Sequence, residues 1–150
     1  MRIILQRVTE ASVCINNRVH ASISKGLVVL VGITNDDTLA DIEWAVSKIC
    51  HLRIFADKNG QMNISLIDTM GEALVISQFT LFASTKKGNR PSFLQAGSPS
   101  FATKMYEIFC KELSTMLARE IATGVFGADM QVSLINDGPV TISIDTKNKE

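Results

Sequence analysis

The sequence predicts a mixed α/β domain in three layers (α/β/β), with two barrel-like sheets and helices covering one face. Three observations carry this prediction. Apolar alternation of strand type clusters at both ends of the 150-residue chain. Two segments between those clusters repeat apolar residues at helical spacing along one side only. The near-continuous apolar run from Ala73 to Phe82 has the character of a central strand buried on both faces. One-sided helices need a sheet beneath them, and the strands are too many for one layer, so two sheets meet the burial requirement. No GxGxxG follows a strand, which argues against a Rossmann domain.

The first third reads as four strands: Arg2 to Val8, Ala11 to Ile15, Arg18 to Ile23 and Gly26 to Ile33, with Asn16-Asn17 as a tight turn. Asn35-Asp36-Asp37-Thr38 supplies N-cap residues for a helix whose apolar face is Leu39, Ile42, Val46 and Ile49. A strand near Arg53 to Ala56 runs into the turn signal Asp57-Lys58-Asn59-Gly60. After the central run, a loop from Ala83 to Gly97 carries Lys86, Lys87, Arg90 and Pro91. Ser98-Pro99 then opens a long helix with Phe101, Met105, Ile108, Phe109, Leu113, Met116 and Leu117 inward, and Gly124 as its stop. Two strands, alternating around Val132 and Leu134 and around Val140, Ile142 and Ile144, close the chain ahead of a fraying tail, Lys147 to Glu150.

Length and composition fit a single domain, 1–150, with 46% hydrophobic and 20% charged residues. No apolar stretch reaches membrane-spanning length, and the N-terminus lacks a secretory signal, so no membrane partner and a cytoplasmic location are expected. Fifteen basic and fifteen acidic residues balance to zero. Extensive phosphate contact favours a basic protein, so broad nonspecific nucleic-acid binding, DNA included, is not expected. Cys14, Cys50 and Cys110 stand far apart in apolar surroundings and read as buried, inert thiols. His20 and His51 are the only histidines and neither has a motif around it, so no metal, no cofactor and no Ser-His-Asp triad are expected.

Two segments carry chemical information. Asn136-Asp137-Gly138-Pro139-Val140-Thr141 lies between strand-like flanks, yet Pro139 has no amide hydrogen and restricts Gly138. That backbone cannot simply join a ladder, which frees its carbonyls to face something else. Ser77-Gln78-Phe79-Thr80-Leu81 ends the central run with two hydroxyls, an amide and an aromatic face. Amide hydrogens at a strand end can donate to a substrate carbonyl or a developing oxyanion. No His or carboxylate stands beside them as general base. Lys86, Lys87 and Arg90 read from charge alone as a solvated loop.

Both segments are signatures of the D-aminoacyl-tRNA deacylases, which the chain closely resembles. The likeness extends over Gln6-Arg7-Val8, Val29-Leu30-Val31-Gly32-Ile33, Gly88-Asn89-Arg90-Pro91 and Thr123 through Met130. It implies hydrolysis of the ester between a D-amino acid and the terminal adenosine of tRNA, a chiral proofreading step in translation. It also implies a homodimer with its sites at the subunit interface. Ser77, Gln78, Phe79 and Thr80 would form the catalytic segment, and Asn136, Gly138, Pro139, Val140 and Thr141 the substrate-binding one. The Gly138-Pro139 bond would be cis and reach into the partner's pocket, where its carbonyls exclude L side chains and let glycyl-tRNA through. Amides near Phe79 and Thr80 would form the oxyanion hole, with the substrate's 2′-hydroxyl assisting. Thr80 as a nucleophile is the alternative, disfavoured because nothing adjacent would deprotonate it. Lys86, Lys87 and Arg90 become candidate contacts to the acceptor end of aminoacyl-tRNA.

Three rival readings follow from the same residues. They are a non-enzymatic RNA-binding or dimerisation module, a relative with shifted specificity and a trans Gly138-Pro139 bond, and a generic serine or cysteine esterase.

Overall fold

A computed structural model describes residues 1–149. The chain runs β1 (Arg2–Ile15), β2 (Arg18–Ile23), β3 (Gly26–Gly32), α1 (Leu39–His51), β4 (Phe55–Ala56), β5 (Met62–Ile64), β6 (Glu72–Ser77), a 3₁₀ turn (Phe79–Phe82), α2 (Pro99–Leu117), β7 (Ala122–Thr123) and β8 (Gln131–Asp145). Six strands make one strongly curled, barrel-like sheet, and β4 with β5 makes a second, small one. β1 is the spine. It pairs antiparallel with β8 along one edge, and with β3 and then β2 along the other. Parallel β6 and β7 extend the sheet beyond β3.

Strand alternation divides the apolar residues between two cores. Ile3, Leu5, Leu27, Val29, Val31, Ala73 and Val75 point toward α1 and α2 and pack on Ile42, Val46, Ile49, Phe109 and Leu113. Val28, Leu74 and Ile76 point the other way, into the curl, where they meet Val8, Ala11 and Val13. Each fully buried Val, Leu, Ile or Phe side chain among them stabilises the fold by about 1.5–3 kcal/mol.

The structure corrects several sequence-based boundaries. Arg2–Ile15 is one strand, not two, because an irregularity between Val8 and Glu10 turns the next residues onto the inner face without ending the pairing. The central strand stops at Ser77; Leu81 and Phe82 owe their apolar character to packing of the 3₁₀ turn instead of to a ladder. The strand foreseen from Arg53 covers only Phe55–Ala56. α2 ends at Leu117, where Ala118 adopts a left-handed φ of 53°, and Gly124 lies beyond β7. Leu39 and Met116, placed on inner faces, are exposed. The two C-terminal strands are one, β8, with residues 136–141 inside it.

Caps and ends behave as side-chain chemistry dictates. Asp41 Oδ2 accepts from the Thr38 amide at 2.8 Å and from the Thr38 hydroxyl at 2.7 Å, fixing the start of α1. The tail does not simply fray: Lys147 Nζ bonds Asp41 at 2.7 Å, and Lys149 Nζ sits 4.7 Å above the Trp44 ring. Glu150 lies outside the described residues. Cys50 is buried, whereas Cys14 and Cys110 are half-buried. Burial pushes the thiols of Cys50 and Cys110 up to about 11, which leaves them unreactive near neutrality.

Candidate active site

The parallel β3–β6 ladder runs out at Val31 opposite Ser77, and the Gln78 amide still donates to Val31 O at 2.8 Å. The chain then winds into the 3₁₀ turn. Its first internal bond is donated by Leu81 to Gln78 O, so the amides of Phe79 and Thr80 lie ahead of that bond without an acceptor inside the turn. A preorganised pair of adjacent donors of this kind is what stabilises an oxyanion. The Gln78 side-chain amide donates to Thr80 Oγ1, tying the two side chains together.

Beside the turn opens a cavity of about 540 Å³. Ser77, Gln78 and Phe79 form one wall, Pro99 and Ala102 from the start of α2 another, and Phe126 through Met130 a third. Asp129 is the only ionisable side chain among the lining residues, and no histidine is among them. That argues against the serine or cysteine esterase reading. No group of three or more metal-ligating side chains occurs among the described residues. Thr80 does not line the cavity, and neither do the basic residues.

Lys86, Lys87 and Arg90 are exposed on a loop whose base is closed by reciprocal Ser84–Ser92 backbone bonds of 2.8 and 2.9 Å. Just past that base Phe93 meets Phe79 edge-on, ring centroids 5.1 Å apart. The basic loop is therefore anchored at the rim of the cavity.

The second signature is elsewhere: none of residues 136–141 lines the cavity. Gln6 pairs with Thr141 and Val8 with Asn136, so Arg7 alone faces the stretch from Asp137 to Val140, which bulges out of the ladder. The Gly138-Pro139 bond is cis, and both residues are exposed. Side chains of β1 hold the bulge. Gln6 Oε1 accepts from Asn136 Nδ2 at 2.6 Å and from Thr141 Oγ1 at 2.5 Å, and Asn136 Oδ1 accepts from the Val140 amide at 3.1 Å. Arg7, nearly buried, donates from Nε to Asp137 O at 3.1 Å, ion-pairs with Asp137 Oδ2 at 3.2 Å, and donates from Nη1 to Ile54 O. Gly138 has φ +120°, and a Cβ there would lie 2.8 Å from Arg7 Nη2.

Sequence reasoning singled out both signatures but not Gln6 and Arg7 as supports, nor Phe126–Met130 as a cavity wall. The sequence signal for the latter was its place in the stretch of family likeness, Thr123 through Met130, within which Gly127 takes a positive φ of 76°.

The D-Tyr-tRNA(Tyr) deacylase family profile matches residues 4–145. A D-aminoacyl-tRNA deacylase of Bacteroides thetaiotaomicron is 58% identical over 150 residues, 100% of both chains, and one of Cytophaga hutchinsonii is 59% identical over 147 residues, 98% of both. Among solved structures, a c-Myc DNA unwinding element binding protein superposes with a TM-score of 0.92 at 40% identity, covering 97% of this chain and 98% of its own. A probable eukaryotic D-amino acid tRNA deacylase superposes at 0.85 over 95% of this chain and 97% of its own; at 18% identity that likeness bears on the fold alone. With a family profile over residues 4–145 and relatives 58% and 59% identical over at least 98% of both chains, this chain belongs to the D-aminoacyl-tRNA deacylase family, hydrolases of the ester bond.

Proposed function

We propose that this protein hydrolyses the ester of D-aminoacyl-tRNA, and of glycyl-tRNA, in a site that a second copy of the chain completes. One observation carries the reading: the cavity beside Ser77–Phe79 and the rigidly held Gly138-Pro139 segment do not meet within one chain. Pairing of two copies about a two-fold axis would bring each exposed segment to the other's cavity. The exposed apolar side chains of Phe79, Leu94, Leu134 and Ile135 supply surface for such an interface.

In this site the ester carbonyl sits against the amides of Phe79 and Thr80, which take up the developing negative charge. The substrate's 2′-hydroxyl assists attack of water on the ester carbonyl, with the ribose oxygen as leaving group; the cavity lining holds no histidine, and the Thr80 hydroxyl is bonded to the Gln78 side-chain amide. The carbonyls around Gly138-Pro139 accept hydrogen bonds from the amino group of a D-residue and occupy the space an L side chain requires. Glycine presents nothing to exclude. Discrimination then comes from unfavourable contact with the wrong enantiomer.

Asn136, Val140 and Thr141 belong to the supporting frame of that segment, while Lys86, Lys87 and Arg90 meet acceptor-end phosphates at the rim. Such a handful of contacts is compatible with a net charge of zero. Among the described residues, no helix is long and apolar enough to cross a membrane. A cytoplasmic place of work and an absence of DNA partners are part of the proposal. The test is turnover of D-tyrosyl-tRNA by the intact protein. Enzyme-dependent release of D-tyrosine is expected; an ester that decays no faster than in buffer would overturn the reading and favour a binding module.

A further inference from the structure

Arg2, Gly32 and Asp145 occupy one row across three strands. Arg2 is the direct partner of Gly32 on one side and of Asp145 on the other. Gly32 has no side chain, and the space above it is taken by the 3₁₀ turn: a Cβ on Gly32 would lie 2.9 Å from Leu81 Cβ and 3.3 Å from Phe82 Cδ2. The guanidinium of Arg2 reaches the same turn. Nη1 donates to the Leu81 carbonyl at 3.1 Å, and the guanidinium carbon stands 4.9 Å from the centre of the Phe82 ring. On its other side, Nε bonds Asp145 Oδ2 at 3.1 Å, while Asp145 Oδ1 accepts from the Lys147 amide at 2.9 Å. The carboxylate is thus fixed by backbone before it fixes the arginine.

This arrangement places a cation at the carbonyl end of the turn whose first residue, Phe79, lines the cavity and whose leading amides precede its first internal bond. Helical turns favour a cation at that end, and a guanidinium can satisfy an orphan carbonyl there. A rigid, planar guanidinium holds two partners at a fixed angle while its face lies against a ring, which a compact ammonium does not reproduce. We propose that Arg2, oriented by Asp145, is a positioning residue for ester hydrolysis: it locks the Phe79–Phe82 turn against Gly32 and so sets where the Phe79 and Thr80 amides point. The inference rests on the deacylase reading above, since that reading gives those amides their role. Donors to a developing oxyanion act through placement, and a displacement of about 1 Å can cost 10²-fold in rate.

The experiment uses the full-length protein with Arg2→Met, Arg2→Lys and Asp145→Asn. Steady-state kinetics on D-tyrosyl-tRNA and amide hydrogen exchange across residues 78–83 are read in parallel. Arg2→Met is expected to lower kcat about tenfold or more while KM stays within about twofold, because orientation of the donors is lost and not the binding surface. Arg2→Lys keeps the charge and recovers only part of kcat, and Asp145→Asn shows a smaller loss of the same kind. Exchange at the Leu81 and Ala83 amides accelerates in Arg2→Met while α2 is unchanged. The proposal is overturned if kcat and local exchange are both unaltered. It is equally overturned if kcat falls only in step with faster exchange throughout the chain, which marks general destabilisation. A wild-type protein that leaves D-tyrosyl-tRNA intact would sink the deacylase reading alone; the exchange arm then still decides whether Arg2 holds the turn.

Discussion

Arg7 grips Asp137 by both its backbone and its side chain, with Nε 3.1 Å from the Asp137 carbonyl and 3.2 Å from Oδ2. The same guanidinium donates to Ile54 O beyond the end of α1. One nearly buried side chain therefore ties the bulge in β8 to the segment between α1 and β4. Arg7→Met removes these bonds and leaves Ile54 O without its donor, which should lower stability by about 2 kcal/mol. The chemical readout is sharper: the D-over-L rate ratio on matched tyrosyl-tRNAs should fall at least tenfold. Arg7→Lys should not restore it, since an ammonium cannot reproduce the fork.

Gly138 sits where a methyl group would lie 2.8 Å from Arg7 Nη2 and 3.0 Å from Val140 Cγ2, at a φ of +120°. A side chain there meets both a clash and a disfavoured backbone conformation, the latter costing on the order of 1–3 kcal/mol. Gly138→Ala should shift the segment and raise hydrolysis of the L ester relative to the D ester. A ratio equal to wild type would remove Gly138 from the discriminating surface.

Thr80→Ala deletes a hydroxyl but keeps the backbone amide. If that amide is what works, deacylation should stay within about tenfold of wild type. Removal of a covalent nucleophile costs on the order of 10⁶-fold in a serine hydrolase. A loss of that size in single-turnover measurements would reinstate Thr80 as the attacking group.

Lys86, Lys87 and Arg90 ride together on the loop closed by Ser84 and Ser92. Replacing all three with Gln should raise KM for tRNA substrates and flatten its dependence on salt. The slope of log affinity against log salt should drop by about 0.7–0.9 for each phosphate contact removed. A KM and salt slope identical to wild type would return the trio to a solvated loop.

Much of this arrangement was legible in the residues themselves. The helix starts at Thr38 and Ser98 were readable because caps are local chemistry. Ala73 to Ile76, buried on both faces, announced a central strand. Its end did not, because Leu81 and Phe82 are as apolar as the strand and their packing over Gly32 is tertiary. The irregularity between Val8 and Glu10 broke the alternation of β1 while its pairing continued, so one strand looked like two. Both signatures stood out in the sequence, yet their separation in space did not. No periodicity reveals that Phe79 borders a cavity which Gly138 of the same chain does not reach.

The central claim is that this site hydrolyses an ester while rejecting the L enantiomer. Its most direct measurement compares the rates at which the protein deacylates D-tyrosyl-, L-tyrosyl- and glycyl-tRNA, prepared on matched tRNAs and assayed with a chelator present. The account predicts rapid loss of the D and glycyl esters, with the L ester spared and the chelator without effect. Equal hydrolysis of the D and L esters would contradict the filter, and survival of all three would contradict the chemistry itself.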